Sequence, residues 1–259
     1  MITLRTEREI AILREANQIV ADVLVEMAEL VRPGITTAAL DEAGERLIRG
    51  RGAGPAFLGY RGYPRATCIS VDEVIVHGVP GARRIEEGEI VSIDVGVLYK
   101  GYYGDAAISV PCGRLDPGRQ RLLEVADCAL ARGIVAARDG NRVTDVSRAI
   151  QETCEAAGFS VVRAFVGHGI GTAMHEELQI PNFVTGKGGP VLREGMVMAL
   201  EPMVNMGAHE VRVLEDGWTA VTADGLPSAH FEHSIVVRKH GGEILSATMR
   251  RAWGQDIGA

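Results

Sequence analysis

Acidic residues interrupt two stretches that otherwise have the composition of buried β-strands. Asp94 lies in the run IVSIDV at residues 90–95, and Glu201 lies in MVMALEP at residues 196–202. Acidic residues are poor strand formers and are rarely buried without a partner. A solvent-facing position would explain one such residue. Asp94 and Glu201, however, are 107 residues apart, and each follows a Glu-Gly dipeptide at the same spacing. Such a matching pair favours a functional site.

A second carboxylate, that of Asp105, is expected near Asp94. If Tyr99 and Lys100 form a two-residue turn, Asp105 lies directly opposite Asp94 in a hairpin. Directly opposed side chains share one face, with β-carbons about 5 Å apart. Two like charges at that separation repel each other unless one is protonated or a cation lies between them.

The second half of the chain repeats this arrangement. Glu201 and Glu232 are centred on Asp216 and Gly217, a dipeptide that favours hairpin turns. The arms of this hairpin are long, so its register is less firmly determined than that of the first. Four carboxylates are therefore expected to converge where two half-sheets meet.

Three of the seven histidines stand in unusual settings. His77 follows an apolar run, His168 lies within the glycine-rich segment 167–171, and His175 precedes two glutamates. A lone histidine is more often a structural residue than a ligand. His175 is not part of a zinc-binding His-Glu-x-x-His helix, because the second histidine is missing, and segment 167–171 is not a dinucleotide-binding loop.

Four acids with one histidine favour divalent metal, and they suit two ions better than one. Two ions about 3.5–4 Å apart activate a water and polarise a carbonyl or phosphoryl group. A network of surface acids facing arginines is the second interpretation. A carboxylate pair doing acid–base work without metal, as in glycosidases, needs only two acids.

The order helix, helix, strands occurs twice along the chain. Residues 6–30 are predicted to form an amphipathic helix, capped by Thr6 with Glu9 as its capping-box partner. Further helices are predicted at residues 37–51, 120–138 and 143–157, and strands at residues 66–70, 74–76, 90–99, 102–110, 161–166, 196–206, 210–214, 218–222 and 231–238. The repeat indicates an α/β (α+β) fold with two similar halves, about residues 1–115 and 116–259, in a single catalytic domain over residues 1–259.

Composition excludes several classes of protein. Acids outnumber bases 34 to 27, and the formal charge of −7 argues against binding to DNA. An apolar fraction of 46% is enough for one sizeable core and argues against disorder. No membrane-spanning or signal segment is expected, and the four widely separated cysteines are typical of a reducing cytoplasm.

Taken together, the motifs resemble those of the type I methionine aminopeptidases, the bacterial-type short form. The likeness covers nearly the whole chain and is carried by segments 58–64, 77–78, 93–96, 104–105, 167–171, 175–177, 200–204, 216–219 and 231–235. It implies the pita-bread fold, in which two pseudo-symmetric helix–helix–strand halves share a curved antiparallel sheet. This agrees with the internal repeat.

The resemblance also implies a metal site. The positions that match the family's five ligands are Asp94, Asp105, His168, Glu201 and Glu232. Asp105 and Glu232 would bridge two divalent ions. Asp94 would hold one of these ions, and His168 with Glu201 the other. Such an oxygen-rich site suits Co, Mn, Fe or Zn, and ligand type does not choose among them.

The implied reaction is the hydrolytic removal of the N-terminal methionine from peptides and nascent proteins, with a preference for a small second residue. A metal-bridging hydroxide would attack the scissile carbonyl, with Glu201 as general base. His175 would help to polarise the carbonyl. His77 would contact the scissile amide and assist proton transfer.

The resemblance also implies an apolar pocket for the methionine side chain of the substrate. The substrate-binding positions are Phe57, Tyr60, Tyr63, Cys68, His77, Met174, His175 and Trp218. Aromatic contacts to the thioether would add to binding. Three residues depart from the family pattern: Arg61 stands where histidine is common, Met174 where an aromatic is common, and Phe57 where a small residue is common. They bear on the shape of the pocket and not on the ligand set.

Three other functions use the same fold. Xaa-Pro peptidases usually carry a large extra N-terminal domain, whereas here the first helix begins near residue 6. A metal-free binding module or a creatinase-like hydrolase would lack one or more of the five ligands, and all five are present. The expected partners are N-terminal Met peptides and nascent chains, with a transient ribosome contact, and the chain is expected to be a cytoplasmic monomer.

Overall fold

The computed structural model describes residues 2–186 and 188–246. Within these ranges the helices are α1 (Glu7–Leu30), α2 (Thr37–Gly50), α3 (Pro117–Ala136) and α4 (Val143–Ala156). The strands are β1 (Gly54–Pro55), β2 (Cys68–Val71), β3 (Val74–Val76), β4 (Ile90–Tyr99), β5 (Tyr102–Pro111), β6 (Ser160–Val161), β7 (Val166–Gly169), β8 (Glu176–Pro181), β9 (Val197–Leu200), β10 (Met203–Asn205), β11 (Val211–Val213), β12 (Ala220–Thr222), β13 (Ser228–His230), β14 (Glu232–Val237) and β15 (Gly242–Ile244). None of the helices in the described ranges is long and apolar enough to cross a lipid bilayer.

Capping residues determine where the helices begin. The hydroxyl of Thr6 accepts a hydrogen bond from the backbone N–H of Glu9, whose carboxylate accepts one from the backbone of Thr6, so the predicted capping box is confirmed. The predicted start of α3 at residue 120 is wrong, because α3 begins at Pro117. Asp116 caps this helix, and proline suits the first helical position because its missing N–H is not needed there.

A nine-stranded sheet joins the two halves of the chain. Its strands run in the order β1-β4-β5-β14-β9-β7-β8, with β2 also paired to β4 and β15 to β14. All of these pairings are antiparallel, and the halves meet where β5 pairs with β14. Apolar side chains of α1 and α2 form a core with the first half, and those of α3 and α4 form a core with the second. The predicted arrangement of two similar halves is confirmed.

The hairpin of β4 and β5 has a different register from the predicted one. Its two-residue turn is Lys100 and Gly101, so Tyr99 pairs with Tyr102. Both turn residues have positive φ angles, 50° and 82°, which hairpin turns that match the strand twist require. Glycine adopts this conformation without strain, and its position therefore shifts the turn by one residue. The predicted direct opposition of Asp94 and Asp105 is wrong for this reason.

The register predicted for the second half is confirmed. β9 with β14, β10 with β13 and β11 with β12 pair in one continuous register centred on Asp216 and Gly217. The strand predicted at residues 196–206 is broken at Glu201 and Pro202, since proline has no backbone N–H for a ladder. The strand predicted at residues 161–166 is also wrong, because only its ends belong to strands, in β6 and β7.

Candidate active site

Five polar side chains come from five successive strands of the nine-stranded sheet. Asp94 lies on β4, Asp105 on β5 and Glu232 at the start of β14. Glu201 directly follows β9, and His168 lies on β7. All five line one cavity of about 290 Å³. The structure therefore brings the whole predicted ligand set together where the two halves of the chain meet.

His168 lies among the carboxylates. Its Nε2 atom is 3.5 Å from Oε1 of Glu201 and 3.9 Å from Oδ2 of Asp105. One ligand atom from each of Asp105, His168 and Glu232 lies within 4.8 Å of the others. The other ring nitrogen, Nδ1, is 3.0 Å from the carbonyl oxygen of Gly169. When Nδ1–H donates to that carbonyl, Nε2 keeps its lone pair for a cation.

The carboxylates lack the partners that buried charges need. In the described part of the chain, Oδ1 of Asp94, Oδ1 of Asp105 and Oε1 of Glu232 are buried without a hydrogen-bond donor. Burial raises the pKa of Asp94 to about 7. Burial, and then the charges of neighbouring acids, also raise the pKa of Asp105, Glu201 and Glu232. A divalent cation would supply the missing positive charge and take these oxygens as ligands, so the site fits metal.

Close packing at Gly167 brings His168 to its place. A β-carbon on Gly167 would lie 2.5 Å from the carbonyl oxygen of Ala199 on β9. Only glycine therefore lets β7 approach β9 this closely. His168, the next residue, pairs with Ala199, two residues before Glu201.

His77 lies at the edge of the cavity between two aromatic rings. Its ring meets Phe165 and Trp218 edge to face, with centroids 5.3 Å and 6.3 Å apart. Burial, and then the charge of His175, lower the pKa of His77 to about 4. The ring is therefore neutral near pH 7.

His175 is oriented by a tyrosine. Its ring stacks on Tyr60 at 5.3 Å between centroids, and its Nδ1 lies 2.8 Å from the Tyr60 hydroxyl. Its ring also lies 4.1 Å from that of His168. Burial, and then the positive charge of Arg61, lower the pKa of His175. A neutral imidazole thus stands next to the carboxylate cluster.

Residues distant in sequence form the apolar wall of the cavity. Tyr63 and Trp218 meet edge to face at 5.1 Å, and Cys68 and Phe57 line the same wall. Met174 is the one predicted substrate-binding residue that does not line the cavity. It is buried against Gly96, where a β-carbon would lie 2.5 Å from Cε of Met174.

Some cavity residues are missing from the sequence-based set. Phe165, Val76 and Arg61 also line the cavity. The signal for Phe165 is its place two residues before the glycine-rich segment, in a chain with only five phenylalanines. Arg61 stands out as a departure from the family pattern, although this assigns it no role. Nothing in the sequence distinguishes Val76.

Comparison with known proteins identifies the family. The profile of metallopeptidase family M24 matches residues 11–239. A methionine aminopeptidase of Bacillus subtilis is 46% identical over 246 residues, which cover 95% of this chain and 99% of that protein. The chain belongs to the methionine aminopeptidases of metallopeptidase family M24. The resemblance that the motifs carry is confirmed.

Solved structures of other proteins also match this M24 chain. A methionine aminopeptidase of Thermotoga maritima matches it with a TM-score of 0.93 at 45% identity, covering 95% of this chain and 99% of that one. A prolidase from Pyrococcus furiosus matches with a TM-score of 0.78 at 24% identity and 65% coverage of its own length, which shows a shared fold alone. The pita-bread fold is confirmed, and membership of a metallopeptidase family makes this M24 chain a metal-dependent hydrolase.

Proposed function

We propose that this chain is a methionyl aminopeptidase that removes the N-terminal methionine from peptides and nascent proteins by means of two divalent ions. The observation that carries the proposal is the row of four carboxylates and one histidine in a cavity that also has an apolar wall. Metal ligands alone would fit many hydrolases. A cavity of about 290 Å³ with aromatic walls supports one linear apolar side chain as the group recognised.

The proposed metal ligands are the five side chains that share the cavity. Asp105 and Glu232 would hold both ions, Asp94 would hold one, and His168 with Glu201 would hold the other. When bound, divalent ions lower the pKa of water and polarise a carbonyl oxygen. The donor set suits Co, Mn, Fe or Zn.

Glu201 is the proposed general base. It takes a proton from the attacking water and passes one to the leaving amine. The 3.5 Å separation of its Oε1 from Nε2 of His168 supports a position beside the proposed ions.

Two neutral imidazoles are proposed to bind the scissile peptide group. If the Tyr60 hydroxyl donates to Nδ1 of His175, 2.8 Å away, the ring proton lies on Nε2 and can be donated to the developing oxyanion. His77 contacts the scissile amide and assists proton transfer. Its pKa of about 4 supports a neutral ring that both accepts and donates near pH 7.

The methionine side chain is proposed to bind against Tyr63, Cys68 and Trp218. A thioether in contact with aromatic rings gains about 0.3–1.5 kcal/mol. Phe57, Tyr60, His77 and His175 complete the proposed substrate-binding set, and Met174 supports it from a buried position against Gly96. The limited volume of the cavity supports a preference for a small second residue.

The domain organisation, location and partners of the chain are also proposed. Residues 1–259 are proposed to form a single catalytic domain that acts as a cytoplasmic monomer on N-terminal Met peptides. Nascent chains would be reached through a transient ribosome contact. The formal charge of −7 supports the absence of DNA binding.

A peptide assay tests the proposal. The purified protein is treated with EDTA, reloaded with Mn²⁺ or Co²⁺, and given Met-Ala-Ser, Met-Leu-Ser and Ala-Pro. We expect free methionine from Met-Ala-Ser, much less from Met-Leu-Ser, and none from either after chelation. Cleavage of Ala-Pro without cleavage of Met-Ala-Ser would instead assign the site to an Xaa-Pro peptidase.

A further inference from the structure

The cavity has a buried end and an exposed end. Asp105 and Glu232 at the buried end are only 4% and 3% exposed. Among the residues that line the cavity, Arg61, Ala164 and His175 are exposed. A peptide whose N-terminus lies at the carboxylates must therefore leave the cavity past Arg61, Ala164 and His175.

Among the described residues that line the cavity and are exposed, Arg61 is the only one with a permanent charge. It lies in the short 3-10 turn Tyr60–Gly62, and its Cζ is 5.4 Å from the centroid of the Tyr60 ring. That ring stacks on His175 in turn, so the guanidinium lies beside the place where the scissile bond is proposed to bind. No carboxylate within the described ranges forms an ion pair with Arg61, whereas Arg5, Arg119 and Arg238 are all paired. Its hydrogen-bond donors are thus free for a ligand.

We propose that Arg61 binds a carboxylate on the part of the substrate that lies downstream of the scissile bond. Guanidinium offers parallel N–H donors that match a carboxylate in a bidentate arrangement. The inference rests on the proposed removal of methionine, because that reaction fixes which end of the peptide lies at the exposed end. The carboxylate comes from an acidic third or fourth residue or from the C-terminus of a short peptide.

Because Arg61 is exposed, its ion pair with the substrate carboxylate should raise the affinity for the peptide only modestly. Exposed ion pairs change an equilibrium by about two- to fivefold, and salt screens them. The contact forms equally in the bound substrate and in the transition state. It therefore lowers KM and leaves kcat nearly unchanged.

Four peptides and three variants test this inference. Met-Ala-Asp-Ser-amide is compared with Met-Ala-Asn-Ser-amide, and free Met-Ala-Ser with Met-Ala-Ser-amide, at low and high salt. The first pair isolates an acidic side chain, and the second isolates the terminal carboxylate. The variants are Arg61→Gln, Arg61→Lys and the matched control Arg163→Gln. Arg163 is also an exposed arginine over an aromatic ring, 5.6 Å from the centroid of Phe183, but it does not line the cavity.

We expect the unmodified enzyme to prefer the charged member of at least one pair about two- to fivefold in kcat/KM, through KM and less so at high salt. Arg61→Gln should abolish this ratio, Arg61→Lys should keep part of it, and Arg163→Gln should keep all of it. Equal rates within both pairs, or a ratio that survives in Arg61→Gln, would overturn the inference. Absence of methionine release from every peptide would contradict the proposed function itself, so the two failures are distinguishable.

Discussion

Asp94 and Asp105 lie diagonally across the ladder of β4 and β5 on the same face of the sheet. Asp94 pairs with Ala107, and Asp105 pairs with Gly96, two residues further along β4. Residues two apart on a strand point to the same face, so both carboxylates line the cavity. Diagonal neighbours are about 7–8 Å apart, which leaves more room for a cation than direct opposition would.

The metal-free protein should be stabilised by Asp94→Asn at alkaline pH. Burial raises the pKa of Asp94 to about 7, above its unfolded value of about 3.9. A raised folded pKa gives stability below the unfolded value that is lost as the pH rises through the folded value. Urea unfolding in EDTA should therefore show Asp94→Asn more stable than the unmodified protein by on the order of 4 kcal/mol at pH 8, and by less than about 1 kcal/mol at pH 4.

Asp224 provides the matched control for that comparison. It is exposed, and hydrogen bonds from the backbone of Ala208 and Leu226 lower its pKa. Asp224→Asn should therefore give no gain at pH 8. Equal or lower stability of Asp94→Asn at that pH would show that the carboxylate is not held in an unfavourable environment.

His77 should remain uncharged down to about pH 5. Its pKa of about 4 lies below the ordinary histidine value of about 6.5, because the ring is buried and faces His175. A lowered folded pKa means that the stability it contributes is present above about pH 6.5 and is lost as the pH falls through about 4. NMR titration of the imidazole resonances, assigned with His77→Gln, measures this directly. A midpoint at or above 6.5 would contradict the buried, neutral ring.

Gly101→Ala should destabilise the protein by about 1–2 kcal/mol, because the turn holds this residue at a φ of 82°. Gly50→Ala is the matched control. Gly50 ends α2 with an ordinary φ, and a β-carbon there meets nothing within 4 Å. Thermal or urea unfolding should show a loss for the first variant and no loss for the second. Equal effects would mean that the turn is not the one described.

Asn17→Ala should weaken both the fold and metal binding. Asn17 is buried on α1, donates from Nδ2 to the carbonyl of Leu13 at 2.9 Å, and accepts at Oδ1 from the backbone N–H of Asp105 at 3.2 Å. Its loss leaves that N–H without this partner, at a cost of about 1–3 kcal/mol. Calorimetric titration with Mn²⁺ should show an affinity several-fold lower than that of the unmodified protein.

Ser147→Ala separates this effect from a general loss of stability. Ser147 is buried on α4, and its hydroxyl donates only to the carbonyl of Val143 at 3.1 Å, away from the carboxylates. This variant should lose some stability and keep its Mn²⁺ affinity. If Asn17→Ala also kept its affinity, the link from α1 to Asp105 would be structural alone.

Local chemistry explains what the sequence could predict. The capping box of Thr6 and Glu9 needs only neighbouring residues, and the dipeptide Asp216-Gly217 centres a register that extends through three ladders. Acids at matching places in the two halves mark strands that meet in the sheet. The paired acids predicted that four carboxylates converge, and the family resemblance added His168; all five line one cavity.

Packing between distant segments explains what could not be predicted. Met174 and Phe165 flank the same glycine-rich segment, yet the first is buried against Gly96 and the second lines the cavity. Their positions depend on which face of neighbouring strands each loop covers, and the local pattern does not encode this. The register of β4 and β5 depends on one glycine in the turn, and choosing Tyr99 with Lys100 instead shifts every opposed pair.

The central claim is that divalent ions held by these acids are required for release of methionine. The most direct measurement counts Mn²⁺ bound per chain by calorimetry and methionine released from Met-Ala-Ser on the same samples. We predict two ions and full activity for the unmodified protein and for the surface control Glu124→Gln, and loss of both in the double variant Asp94→Ala/Glu232→Ala. Full activity of that double variant after metal removal would contradict the account.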